Sequence, residues 1–179
     1  MKNLIDKKIL YIICGGISAY KSLETIRIFK KSGAHIKTIL TNSAKEFITP
    51  LSVASLSQGK VYTDLFNVEN ETEMDHIALS RWADVILIAP ATANTISKLA
   101  QGTTDDLAST VVLASNKEIY LAPAMNVRMW EHQSTKKNLQ KLINYGYKLI
   151  GPEIGEMACG EYGEGKMSES DKISNEINN

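Results

Sequence analysis

Short apolar runs that each end in a turn and pass into a helical stretch constrain this chain more than any other feature. ILYIIC (9–14) stops at Gly15-Gly16, DVILIAP (84–90) stops at a threonine-rich loop, and EIYLAP (118–123) stops at AMN. HIKTIL (35–40) and YKLIG (147–151) read as further strands. Runs that are apolar at nearly every position suit strands buried on both faces, which is the pattern of a parallel sheet. Between them lie helical patterns. ISAYKSLETIRIFKKSG carries Leu23, Ile26, Ile28 and Phe29 near helical spacing and closes on Gly33. SAKEFI and PLSVASLS suggest a helical stretch broken around Pro50, and MDHIALSRWA (74–83) a short helix. ATANTISKLAQG closes on Gly102, and TTDDLASTVVLAS places its acids in the first turn, where the helix dipole favours them. EHQSTKKNLQKLINYG puts Leu139, Leu142 and Ile143 on one face. The alternation predicts an α/β domain, a parallel sheet with helices on both faces.

Ligands of such sheets bind at the carboxyl ends of the strands, so the loops after Cys14, Leu40, Ala89 and Ala122 are the candidate site. GGISAYK sets glycines between a strand and a helix, either a plain tight turn or a cradle for an anion at a helix start. The second strand ends in Thr41-Asn42-Ser43, without the acid that a dinucleotide fold of the NAD type uses to hold a ribose. Hydroxyls and an amide suit a phosphate or mononucleotide, and Ser43 is equally suited to capping a helix. PATANT (90–95) offers a helix cap at Thr92 and several hydrogen-bonding groups for a ligand.

Two stretches are unusual. In PAMNVRMW (123–130), Asn126 sits between two methionines and a tryptophan where a surface turn would use Gly, Asp or Ser. MACGEYGEGKM (157–167) has glycines at 160, 163 and 165, the mark of a mobile loop or flap, and carries Cys159. A cysteine in such a loop is open to chemistry, whereas Cys14 ends a buried strand and reads as core. Of the histidines, His35 opens a strand and His132 sits on a polar helical face; His76, in a short helix, is either structural or exposed, as a lone histidine more often is, or a group open to chemistry.

Composition narrows the classes. The chain has 179 residues, enough for one domain, taken as residues 1–179 with a flap at about 155–168 and a polar tail at 169–179. Twenty basic and twenty acidic residues give a net charge of zero with no basic block, so no nucleic-acid partner is indicated. The longest apolar run, ILYIICG, is too short to span a bilayer. Two cysteines make no disulfide scaffold and suit the reducing cytoplasm.

PATANT, PAMNVRMW and ACGEYGEGKM together resemble the homo-oligomeric flavin-containing cysteine decarboxylases, over about residues 8–167. PAMNVRMW fills every fixed position of that family's PxMNxxMW motif. The resemblance implies a flavodoxin-like, Rossmann-type fold that binds FMN through Gly15, Gly16, Ile17, Thr41, Ser43, Thr92, Ala93, Asn94 and Thr95. It implies a trimer or dodecamer, with His76 facing a flavin held largely by a neighbour. Within the family the pattern points to the branch acting on 4'-phosphopantothenoylcysteine in coenzyme A synthesis, because Cys159 is present where peptidyl-cysteine decarboxylases typically lack it. Lys166 stands where many bacterial members have arginine. In many bacteria the decarboxylase runs on into a synthetase, so SESDKISNEINN ends either a stand-alone enzyme or a fragment.

The implied chemistry oxidises the substrate thiol to a thioaldehyde, which accepts the electrons of the departing carboxylate; the resulting enethiolate is then reduced. His76 positions or deprotonates the thiol, and Cys159 gives the final proton. Asn126 grips the carboxylate without a full charge, and Ala158 and Met167 touch substrate through the flap. A non-catalytic relative that binds partner proteins is the reading from another class; such proteins often lose the histidine or the cysteine, and both are present here.

Overall fold

A computed structural model describes residues 4–65 and 75–178. The central sheet is parallel, in the order β3-β2-β1-β4-β5-β6. Its strands are β1 (Lys8–Ile13), β2 (His35–Leu40), β3 (Val61–Tyr62), β4 (Val85–Ala91), β5 (Glu118–Pro123) and β6 (Lys148–Leu149). Without the two-residue edge strand β3, the order is the flavodoxin one; with it, the order is that of a doubly wound sheet. The fold is thus the flavodoxin-like, Rossmann-type one. The order reverses between β1 and β4, whose paired registers run from Ile9 opposite Val85 to Ile12 opposite Ile88. Every residue of β4 is buried, as a central strand covered on both faces requires.

Alternation along β1 divides the core. Ile9, Tyr11 and Ile13 face a layer that includes Ala19, Ile26 and Phe29 of α1 (Ala19–Lys31) and Val53 of α2 (Pro50–Ser57). Leu10, Ile12 and Cys14 face the other layer. That layer is built from α3 (Asp75–Trp82), α4 (Ala93–Gln101), α5 (Leu107–Leu113), α6 (Val127–Glu131) and α7 (Gln133–Asn144). The break near Pro50 is resolved into a 3-10 turn at Asn42–Glu46 and then α2, where Pro50 holds the first helical position and Thr49 caps it. Gly102 ends α4 with φ at 72°, a left-handed conformation that favours glycine.

Two elements differ from the sequence reading. The glycine-rich flap is a β-hairpin, β7 (Glu153–Glu156) paired antiparallel with β8 (Tyr162–Lys166). The stretch read as a polar tail is largely α8 (Ser170–Ile177), with Ile173 and Ile177 buried against the α1 layer. Its apolar stripe is only two isoleucines four residues apart, completed by the buried small residues Ser170 and Ser174, which look polar in sequence. Ser170 Oγ accepts a hydrogen bond from Thr25 Oγ1 at 2.8 Å, pinning α8 to α1. The predicted helix at 74–83 is α3; Met74 lies outside the described residues.

Candidate active site

Two adjoining cavities open at the carboxyl ends of the strands. The first, about 560 Å³, is lined by Gly15, Thr41, Ser43 and the run Thr92-Ala93-Asn94-Thr95, with Met125 and Met129 at one side. The second, about 450 Å³, is lined by Gly16, Ile17, Lys21, Asn126, Ala158, Cys159 and Lys166 among others. Ala124 and Met125 line both and form the partition.

The first cavity fits a phosphate-bearing cofactor. At Gly15 a Cβ would run into Ser43, including its backbone carbonyl carbon at 2.6 Å, so only glycine lets the β1 and β2 loops close on one another. The Thr41 hydroxyl is buried and has no partner among the described residues, as a group set aside for a ligand would be. Thr92 caps α4 by accepting from the Thr95 N–H at 3.3 Å. The other N–H groups of that first turn have no acceptor within the helix, which suits an anion. The back wall is Cys14, whose sulfur accepts from Thr95 Oγ1 at 3.2 Å; burial pushes its thiol up to about 11, so it stays protonated and inert. At the far side, Lys98 pairs with Asp105 at 2.7 Å and Asp106 at 2.9 Å, and this charged cluster was not legible as part of the site.

Asn126 is the N-cap of α6. Its Oδ1 accepts from the Met129 N–H at 2.8 Å. Because that partner is a donor, the amide orientation is fixed, and the NH₂ is left without a partner among the described residues. Trp130 is buried in the core, so it anchors α6 and does not frame a ligand. Met129 is 45% exposed at the first cavity.

The hairpin is seated on this loop by its glycines. A Cβ at Gly165 would collide with the Met125 carbonyl, and one at Gly163 would come within 2.9 Å of Val127 Cγ2. Gly165 O also accepts from the Met125 N–H at 3.1 Å. Two of the three flap glycines therefore serve close packing, and Gly160, with φ at 82° and open space around it, serves the turn. That turn presents Cys159 as an exposed, free thiol. Lys21 and Lys166 line the same cavity and share Glu169, at 2.8 Å and 3.5 Å. The Lys21 ammonium holds the Glu169 carboxyl below its ordinary range.

Of the residues expected at the site, two are not brought to either cavity. Met167 is fully buried in the α1-side core, because β8 leads directly into α8 and turns this side chain inward. Its expected contact with substrate is not provided by the side chain in this conformation. His76, at the start of α3, lines neither cavity of the single chain. Lys21, in the first turn of α1, stands within GGISAYK, but nothing in its spacing marks it as cavity-lining.

The family profile of the flavoproteins matches residues 2–179. The chain belongs to the flavoprotein family. A probable phosphopantothenoylcysteine decarboxylase of Streptococcus mutans is 39% identical over 175 residues, 97% of this chain and 98% of that protein. The coenzyme A biosynthesis bifunctional protein CoaBC of Haemophilus influenzae is 45% identical over 171 residues, 96% of this chain and 43% of that protein. The chain thus spans less than half the length of such bifunctional relatives. Among solved structures, a cysteine-to-serine mutant of PPC decarboxylase complexed with pantothenoylaminoethenethiol is 32% identical, with a TM-score of 0.88 over 96% of each chain. The FMN binding protein AtHal3 is also 32% identical, with a TM-score of 0.82 over 96% of this chain and 95% of that one. This flavoprotein is therefore similar, over nearly its whole length, to phosphopantothenoylcysteine decarboxylases within the flavin cysteine decarboxylases.

Proposed function

We propose that this flavoprotein binds FMN and decarboxylates 4'-phosphopantothenoylcysteine to 4'-phosphopantetheine in coenzyme A biosynthesis. The observation that carries the reading is the second cavity, where the Asn126 amide and the Cys159 thiol line one wall system beside a phosphate-ready cradle. Gly15, Thr41, Ser43 and Thr92 to Thr95 hold the cofactor's phosphate and ribityl chain, with Gly16 and Ile17 at the border of the two cavities. When bound there, FMN supplies an acceptor and donor of hydride at the substrate carbon that bears sulfur.

The chain's own groups do the rest. The Asn126 NH₂, aimed by its cap, donates to the substrate carboxylate as a neutral group. A free ammonium there would stabilise the ground-state carboxylate and oppose loss of CO₂. The two cavity lysines share Glu169, which offsets one of their two charges. Cys159 gives the proton that replaces the carboxylate, and the hairpin carries Ala158 over the substrate and limits access of water. His76 acts in the site of a neighbouring subunit of a trimer or dodecamer. That reading is supported by its absence from the cavities of one chain and by Met129, which is 45% exposed on the first cavity's wall.

The synthetase that supplies the substrate is a fused or separate partner, in line with the bifunctional relatives. The enzyme works in the cytoplasm, which suits two free cysteines; among the described residues no helix is long and apolar enough to cross a membrane. Purified protein should be yellow, with an absorption spectrum of non-covalent FMN. It should release CO₂ from 4'-phosphopantothenoylcysteine and not from a peptide ending in cysteine. Release from the peptide alone would reassign it to the peptidyl-cysteine branch, and absence of any flavin affinity would reject the reading.

A further inference from the structure

Decarboxylation consumes one proton per turnover. The C–CO₂ bond breaks, its electron pair stays with the substrate, and the carbon that held the carboxylate gains a hydrogen. If Cys159 gives that hydrogen, it is left as a thiolate and must be refilled before the next cycle. The refilling group has to touch the sulfur yet stand outside the closed cavity, where solvent can reach it.

Glu161 meets both conditions. The Cys159 Sγ donates a hydrogen bond to Glu161 Oε2 at 3.7 Å, and no other side chain among the described residues hydrogen-bonds that sulfur. Cys159 lines the second cavity, whereas Glu161 does not. The turn holds the pair in register: Met157 N–H donates to Glu161 O at 2.9 Å, and Gly160 N–H donates to Met157 O at 2.9 Å. Glu161 is only half-buried, so its carboxyl is within reach of solvent as well as of the sulfur.

We propose that Glu161 is the positioning and proton-return residue for Cys159. In the resting site its carboxylate accepts the S–H and fixes the thiol's rotamer over the cavity. After the S–H proton has passed to the substrate carbon, the Glu161 carboxylate takes up one proton from solvent and passes it to the thiolate, so that it ends as the carboxylate again and one solvent proton is consumed per CO₂. This inference rests on the reading of Cys159 as proton donor.

The test uses flavin-loaded Glu161→Gln, Glu161→Ala and Cys159→Ser beside the natural enzyme. Glu161→Gln keeps an oxygen for the S–H but cannot carry a proton. It should fall ~100-fold or more in the steady-state rate of saturated product, the low end of what acid–base groups contribute. Its first-turnover CO₂ burst should stay at the natural rate, and unsaturated enethiol should appear among its products. Glu161→Ala should behave alike and recover in a formate buffer, which supplies a small carboxylic acid. A natural steady-state rate in both Glu161 variants, or a loss that formate does not restore, overturns the proposal if Cys159→Ser still stalls before saturated product. If Cys159→Ser itself makes saturated product at the natural rate, the underlying assignment of Cys159 fails instead, and the proposal with it.

Discussion

At the scale of single residues, the proposed function gives Asn126 a chemical task beside its structural one. Its oxygen is committed to the α6 cap, which leaves only the NH₂ for the proposed substrate carboxylate. Aspartate caps helices as well as asparagine does. Asn126→Asp should therefore keep its melting temperature and its flavin, yet lose CO₂ release by ~100-fold or more, because the donor is gone and like charge repels the carboxylate. Near-natural CO₂ release by flavin-loaded Asn126→Asp would show that the carboxylate is held elsewhere. The glycines make a paired test. Gly15→Ala pushes a Cβ into Ser43 and should destabilise the flavin-free chain. Gly16→Ala has nothing within 4 Å of its new methyl group and should leave the flavin-free chain as stable as before, while weakening FMN binding. Thermal melts with and without FMN separate the two; equal loss of flavin-free stability in both would contradict the cradle.

At the scale of elements, the strands were legible because a strand buried on both faces must be apolar throughout. ILYIIC, HIKTIL, DVILIAP and EIYLAP fall within a residue of β1, β2, β4 and β5. The elements that escaped have too little apolar sequence to declare themselves. β3 is two residues, and the hairpin strands EIGE and YGEGK are mostly glycine and charge, while the strand expected at YKLIG is present but shortened to Lys148 and Leu149. In the site, the loop residues could be named because turn chemistry is local, but Lys21, Lys98 and Glu161 depend on contacts between distant elements or on hairpin geometry. α8 was hidden because half of its inner face is serine. Ile173 on that face is fully buried, so Ile173→Ala should cost about 2–5 kcal/mol in denaturant unfolding. A cost below about 0.5 kcal/mol, as for an exposed tail, would contradict the packing of α8.

At the scale of the whole molecule, the order reversal between β1 and β4 opens the crevice, and the loop after β5 divides it into the first cavity, proposed for the cofactor, and the second, proposed for the substrate. The Lys98 cluster ties the cofactor side to α5. Burial alone would raise the Asp106 carboxyl, but the Lys98 ammonium and the Ser109 N–H and hydroxyl outweigh it and hold it low. A carboxyl held low stabilises the fold above its unfolded range and ceases to do so as pH falls through its folded value. Asp106→Asn, which keeps the cap, should thus lose up to about 1 kcal/mol at neutral pH, and the gap should close below about pH 4. A gap that persists unchanged at pH 3 would assign the loss to something other than charge. Light scattering should find a trimer or a multiple of three; a stable, active monomer would remove His76 from a neighbour's site. The most direct measurement is the stoichiometry of turnover: purified, FMN-loaded protein is given 4'-phosphopantothenoylcysteine, and CO₂ and 4'-phosphopantetheine are counted together. One CO₂ for each saturated product, with no external reductant, is the predicted result. Binding of the substrate without CO₂, or CO₂ with only the enethiol, would contradict the account.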